Sequence, residues 1–252
     1  MENIFDLVNS EDWPQALDPS TICSNQDDKH KFERGETIVD IMLGDYIEGL
    51  DILDFGTGEG HACLGLKNKK ANKVIGYDIL DNFITLDNVL FTTNWDQVQS
   101  NGPYDIILVY DVIDHIEKIN SLEALYLMKS VLKPGGQIFL RYHPWVARHG
   151  GHFYDKINKA YIHNILTDTE LDNYVPKKDR LNIHKIFNTD QFYKSIALHS
   201  GLSILDENIH RKEIEPFFKQ DKITNRILKN CGLKNFPEDN FTIEFVDHVL
   251  IN

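Results

Sequence analysis

Apolar positions follow two rhythms along the chain, and the change between them divides it. In "KFERGETIVDIML" the residues Phe32, Ile38, Ile41 and Met42 recur at near-helical spacing, which predicts one helix after a loop-rich start. From Leu50 the pattern turns to alternation and short apolar runs. "LDILDF" (50–55), "KVIGYDI" (73–79), "NVLFTTN" (88–94), "YDIILVYDV" (104–112) and "QIFLRYH" (137–143) read as five strands. The fourth is almost continuously apolar, as a strand buried on both faces is. Residues 60–67 read as the start of a helix. "SLEALYLMKSVL" (121–132) reads as another, opened by a Ser121 cap and stopped by Pro134-Gly135-Gly136. Strands alternating with helices predict a parallel sheet with right-handed crossovers.

The tail is patterned differently. "TDQFYKSIALHSG" (189–201) predicts a helix with a Thr or Asp cap and a glycine stop. "LSILDENIHRKEI" (202–214) and "FTIEFVDHVLIN" (241–252) predict strands. The connection between them includes a helix, "DKITNRILKNCG" (221–232). Residues 144–188 are rich in His, Tyr and Asn and carry no clear period. Irregular segments of that length inside a compact domain are lids, binding loops or disordered. No internal repeat occurs, and no linker composition marks a domain boundary.

Composition narrows the class of protein. Of 252 residues, 42% are hydrophobic and 26% charged, ordinary for a globular protein with a real core. No apolar run reaches the roughly 20 residues of a membrane-spanning helix. The acidic start "MENIFDLVNSEDWPQ" lacks the basic and apolar regions of a signal peptide. Cys23, Cys63 and Cys231 lie far apart with no CxxC pair, against a disulfide framework or a structural zinc site. The expectation is a cytoplasmic protein with free thiols and no membrane partner. With 39 acids against 26 bases the formal charge is −13. The basic runs "KNKK" and "KKDR" are short and read as solvated surface, so nucleic acid is not an expected partner.

One stretch breaks the local rules. "DFGTGEG" (54–60) puts three glycines where the first strand should become a helix, although glycine weakens both elements. Ligands of open parallel sheets sit beyond the carboxyl ends of strands, so the loop stands where a nucleotide would. The dinucleotide fingerprint GxGxxG does not fit, because His61 takes the place of its third glycine. The acid followed by GxGxG resembles the first motif of class I S-adenosylmethionine-dependent methyltransferases. The resemblance continues in order: "VIGYDI" ends the second strand in Asp78, "FTTNW" ends the third, and "YDIILVYDVIDHI" and "LKPGGQIFL" match the fourth-strand and fifth-strand motifs. It covers about residues 50–143, and the two-strand tail by topology.

The resemblance implies a Rossmann-like α/β fold: a seven-stranded, mostly parallel sheet with an antiparallel last strand and helices on both faces. The domain would span 50–252, with insertions at about 144–188 and 215–240, behind an N-terminal lid segment, 1–49. It further implies S-adenosylmethionine as cofactor. Gly56, Gly58 and Gly60 would form its cradle, and Asp78 would hold the ribose. Asn94, in place of the family's usual acid, would meet the adenine, Asp54, Tyr110 and Asp111 would surround the sulfonium, and Ile79 and Trp95 are further cofactor contacts. Arg34 is a partner for the cofactor's carboxylate. The residues suit such a ligand: without phosphate it calls for close backbone approach and carboxylate acceptors rather than cations.

Methyl transfer to a hydroxyl or ammonium also needs a base tuned near neutrality. His115, after the fourth strand, is one candidate. "RYHPWVARHGGHFYDKINKAYIH" (141–163) supplies the others, His143, His149 and His152, with Tyr142, Arg148 and Tyr154 as substrate contacts. Arg148 suits an anionic group. Two histidines at "RHGGH" spacing do not define a metal site, and none is assigned. The fourth-strand motif is not the DPPY type of amino-directed DNA enzymes, and no cysteine has the setting of a cytosine-directed nucleophile. The expected substrate is therefore a small metabolite, anionic or sugar-like, methylated on O or N by a monomer or homodimer. A protein acceptor, a non-catalytic cofactor-binding regulator and a nicotinamide oxidoreductase are the alternatives.

Overall fold

The computed structural model describes residues 4–22, 25–180 and 189–252. Cys23, residues 1–3 of the N-terminal segment and residues 181–188 of the histidine-rich stretch lie outside the described residues. Seven strands form one sheet: β1 (Asp51–Phe55), β2 (Lys73–Tyr77), β3 (Leu90–Thr92), β4 (Tyr104–Tyr110), β5 (Leu132–Tyr142), β6 (Ser203–Arg211) and β7 (Ile243–Ile251). Their order is β3-β2-β1-β4-β5-β7-β6. The pairs from β3 through β5 are parallel, with Ile52 facing Val74 on one side and Ile106 on the other. Only the last strands run antiparallel. Asn252, just past β7, exchanges backbone hydrogen bonds with Gly135 and Gly136 near the start of β5. The strand order reverses between β1 and β4, the point where such sheets bind ligands.

The chain divides into two compact units. The first comprises 26–142, 193–208 and 247–252. It holds α2 (Asp28–Leu43), α3 (His61–Asn68), α4 (Trp95–Asn101) and α5 (Lys118–Ser130). Ile52, Leu53, Ile107, Leu108 and Ile138 are buried on the sheet, and Val39, Cys63, Leu66 and Val74 pack together. The second unit comprises 1–25, 143–192 and 209–246. Among its helices are α1 (Ile4–Val8), the short α6 (Ile162–Ile165) and α7 (Asp168–Leu171), the start of α8 (Thr189–His199), then α9 (Asp221–Cys231) and α10 (Glu238–Phe241). Trp13, Tyr161, Ile165, Phe218, Ile223, Ile227 and Phe241 make a core of their own there. Among the described residues no helix is long and apolar enough to cross a membrane.

Four local expectations change. The third strand is only Leu90–Thr92, because Asn94 turns the chain into α4 as its N-cap, accepting from Asp96 N at 2.9 Å. The helix after β4 starts at Lys118, and Ser121 lies buried inside it, donating to Glu117 O at 3.2 Å. That back-bond uses the hydroxyl within the helix instead of at its end. The fifth strand begins at Leu132 and carries Pro134-Gly135-Gly136 as an irregularity in its pairing with β4. Finally, the described part of 144–188 is no open loop: Val146, Ala160, Ile162 and Leu171 are buried in the second unit's core.

Candidate cofactor site and histidine cluster

The loop after β1 is built by left-handed backbone and by contact. Gly56 has φ +76, and a Cβ there would lie 2.3 Å from Val112 Cγ2. Gly60, at φ +97, would meet Phe91 at 2.5 Å. Gly58 has φ +57 but open space around it, which leaves backbone accessible to a ligand. Asp54 lies beneath, 3% exposed, accepting from Thr57 Oγ1 at 2.6 Å and from the Cys63 thiol at 3.4 Å. Burial outweighs these bonds and pushes its carboxyl up to about 6.

Asp78 follows β2 and is half-buried. Its Oδ2 accepts from Gly58 N at 2.9 Å and its Oδ1 from Leu80 N at 3.1 Å. These bonds pin the carboxylate to the glycine loop and leave it lone pairs for a diol. Ile79 is 80% exposed, an apolar side chain facing water at the loop's edge. Trp95 packs edge-on against Tyr77 and Phe55, and its indole Nε1 is buried with no hydrogen-bond partner. Asn94 is exposed, with its carbonyl already on the α4 cap.

At the end of β4, Tyr110 is half-buried and Asp111 takes a left-handed φ of 55, rare for a residue with a side chain. Asp111 N donates to Arg141 O at 3.0 Å. His115 ends a short 3-10 turn, its N–H bonded to Val112 O. Tyr142 is wholly buried between Tyr193 and His248, inside the sheet-bearing unit's core.

The second unit gathers the other histidines. The His143 ring lies 4.2 Å from that of His149 and 6.1 Å from that of His152. Tyr154 sits at 6.1 Å from His149 and 6.0 Å from His152. The Nδ1–H of His143 donates to Glu244 O at 2.8 Å, so a neutral His143 carries its lone pair on Nε2. Burial holds the His149 pKa well below its usual 6.5, with His143, His152, His163 and Arg148 adding repulsion. His152 has φ 53, a strained backbone of the kind that clusters at functional sites. Arg148, expected to hold a substrate anion, is paired with Glu215 and donates through Nε to Gln15 O and Ala16 O at 3.0 and 3.2 Å. Its guanidinium braces this unit.

The sequence model of the family described as a methyltransferase domain matches residues 27–177, more than half of the chain. The chain belongs to that family. This methyltransferase is 26% identical over 115 residues to the mitochondrial ubiquinone biosynthesis O-methyltransferase of Dictyostelium discoideum. That match spans 37% of this chain and 35% of the relative, about a third of the relative's length. Among solved structures, an S-adenosylmethionine-dependent methyltransferase from Archaeoglobus fulgidus aligns with TM-score 0.53 and 16% identity, over 88% of this chain and 94% of the other. One from Mesorhizobium loti gives 0.51 and 14%, over 86% and 96%. The magnesium protoporphyrin IX methyltransferase of Synechocystis, with S-adenosylhomocysteine bound, gives 0.52 and 16%, over 94% and 90%. At these identities the likeness is one of fold.

The methyltransferase's cofactor is S-adenosylmethionine, and the local chemistry fits it. Open backbone at Gly58, a pinned carboxylate at Asp78, the exposed Ile79 and the orphaned Trp95 N–H suit a nucleoside without phosphate. Sequence reasoning missed two walls of this methyltransferase's cradle, Val112 and Phe91, because an apolar residue in a strand pattern gives no sign of what it touches. It also missed the Arg141–Asp247 pair, whose members stand far apart in the chain.

Proposed function

We propose that this enzyme methylates an O or N atom of a small, anionic or sugar-like metabolite. The observation that carries this reading is the histidine cluster: His149, kept unprotonated by burial, beside His143, whose tautomer is fixed by Glu244 O. When bound, the cofactor supplies an electrophilic methyl group. An O–H or N–H acceptor must then lose a proton, and neutral imidazoles are suited to take it. In the sheet-bearing unit the proposed cofactor contacts are Asp54, Gly56, Gly58, Gly60, Asp78, Ile79, Trp95, Tyr110 and Asp111. Asn94 reaches the adenine with whatever its capping bond leaves free. His115, His143, His149 and His152 are the proposed proton carriers, with Tyr154 beside the acceptor. The family relationship to an O-methyltransferase of ubiquinone biosynthesis supports a small acceptor.

A test uses S-adenosylmethionine with panels of small hydroxyl and amine metabolites, and separately with proteins, reading S-adenosylhomocysteine formation. Turnover is expected only with the metabolites. Product from proteins alone sinks the small-acceptor reading, and no product from any panel favours a non-catalytic binder. A His143→Ala variant is expected to lose about a hundredfold in kcat, in the range of general-base catalysis.

A further inference from the structure

Glu59 stands between Gly58 and Gly60, whose backbones are left-handed at φ +57 and +97. A glycine on either side leaves this stretch of the loop little stiffness of its own. Helix α3 follows at once with Gly60 as its N-cap, so no side-chain cap holds that end. The hold comes from other elements. Gly58 N donates to Asp78 Oδ2, Gly60 N to Thr57 O and Ile84 N to Glu59 O, each at 2.9 Å. The Glu59 carboxylate is gripped by α2: Lys31 Nζ donates to its two oxygens at 3.1 and 2.9 Å.

The start of α2 is well anchored for that contact. Phe32, next to Lys31, packs edge-on against His61 with ring centres 4.9 Å apart. One glycine on each helix brings α2 and α3 close, and a Cβ at Gly65 would lie 3.0 Å from Glu36 Cα. Further along, Asn68 Nδ2 donates to Glu36 Oε1 at 2.6 Å, and Lys69 Nζ lies 2.6 Å from Asp40 Oδ1. The Lys31 side chain is only 18% exposed, against 46% for Glu59. Water therefore screens this pair less than one standing free on the surface. In a loop held otherwise by single backbone bonds, a two-oxygen grip from a packed helix restrains the residue that the two glycines leave free.

We propose that Lys31 and Glu59 are positioning residues of the cofactor site: their ion pair fastens the Gly58–Gly60 backbone to α2 and keeps the space at Gly58 open to the nucleoside. Neither side chain touches the ligand in this arrangement; both act through the loop. This role rests on the placement of the cofactor at the glycine loop.

The test is calorimetric titration with S-adenosylhomocysteine and with 5′-methylthioadenosine, which has no amino-acid tail, alongside thermal melts of the free proteins. Wild type, Lys31→Met, Glu59→Gln, the double variant and Lys31→Arg are compared. Each single removal of charge is expected to weaken both ligands about fivefold, the upper range for such a pair. The double variant should bind no more weakly than the singles, because one interaction is lost in all three. Lys31→Arg keeps the charge and should stay within about twofold of wild type. Should Lys31→Met not fold, Glu59→Gln and Lys31→Arg still read the pair, one removing it and the other keeping it. Lower melts with unchanged affinities would mean that the pair only stabilises the fold. Additive losses would mean that the two residues act separately. A loss confined to S-adenosylhomocysteine and to Lys31→Met would make Lys31 a direct contact of the amino-acid tail. Each of these overturns the positioning role and leaves the cofactor placement standing. A wild-type protein that binds neither ligand overturns the placement and the role with it.

Discussion

Gly58 and Gly60 stand two residues apart in one loop, yet they answer different demands. Gly60 combines a φ of +97 with Phe91 at 2.5 Å from the missing Cβ, whereas Gly58 has φ +57 and empty space. An alanine at Gly60 would carry both strain and overlap, so Gly60→Ala should destabilise the fold by about 1–3 kcal/mol in urea melts. Gly58→Ala should cost about 1–2 kcal/mol of backbone strain without any overlap, and it places a methyl group where the ligand approaches. Its expected signature is a loss of S-adenosylhomocysteine binding, by calorimetry, larger than its loss in the melt, the reverse of Gly60→Ala. If the two variants behaved alike, the division between a structural and a ligand-facing glycine would be wrong. The spacing of these glycines was legible in the sequence because few ordinary turns need three of them. Tyr142 shows the opposite limit. As a polar aromatic at the end of a strand it reads as a substrate contact, but its ring is sealed between Tyr193 and His248. Which way a side chain turns at a strand's end depends on packing that no local pattern encodes.

At the scale of elements, the cradle depends on how α2 meets α3. A Cβ at Gly35, in the middle of α2, would lie 2.3 Å from His61 O and 2.9 Å from Ala62 N, the first residues of α3. The two backbones touch, and His61 directly follows the glycine loop. Mid-helix glycine costs about 1 kcal/mol against alanine on propensity alone. Here the overlap with backbone should reverse the sign: Gly35→Ala is expected to destabilise by about 2 kcal/mol. It should also loosen S-adenosylhomocysteine binding, because α3 must shift to make room. A variant more stable than wild type in thermal melts would refute the close approach. The sequence rhythm predicted α2 as a helix, and nothing in that rhythm shows what Gly35 touches. The parallel direction and all seven strands were likewise readable, since apolar runs and glycine punctuation carry them, whereas the antiparallel last strand was implied by the family resemblance. Residues 144–180 were not, because α6 and α7 are too short to show a period and their apolar residues pack among themselves. An irregular pattern and an irregular structure are different things.

For the molecule as a whole, the two units carry buried titratable groups that respond to acid in opposite directions. Asp54, in the sheet-bearing unit, titrates at about 6 when folded against 3.8 unfolded, raised by burial against the bonds from Thr57 and Cys63 and helped by the Asp78 charge. The folded state then holds the proton more tightly, so this contribution is full below about pH 4 and is lost as pH rises through 6, by about 3 kcal/mol. His149, in the other unit, has its folded pKa lowered by burial and by His143, His152, His163 and Arg148. Its unfolded form takes up a proton that its folded form refuses, so stability is present above pH 6.5 and falls on acidification. Moving from pH 7.5 to 5 should therefore weaken the histidine-bearing unit while firming the cofactor-bearing one. Hydrogen exchange corrected for its intrinsic pH dependence can resolve the two. Opening free energies of amides in α6 and α9 are expected to drop at pH 5 relative to those in β1 and β4. His149→Phe should flatten the drop, and Asp54→Asn should remove the relative gain of β1 and β4. A uniform change across both units, unaltered by either substitution, would mean that neither group titrates as its surroundings require.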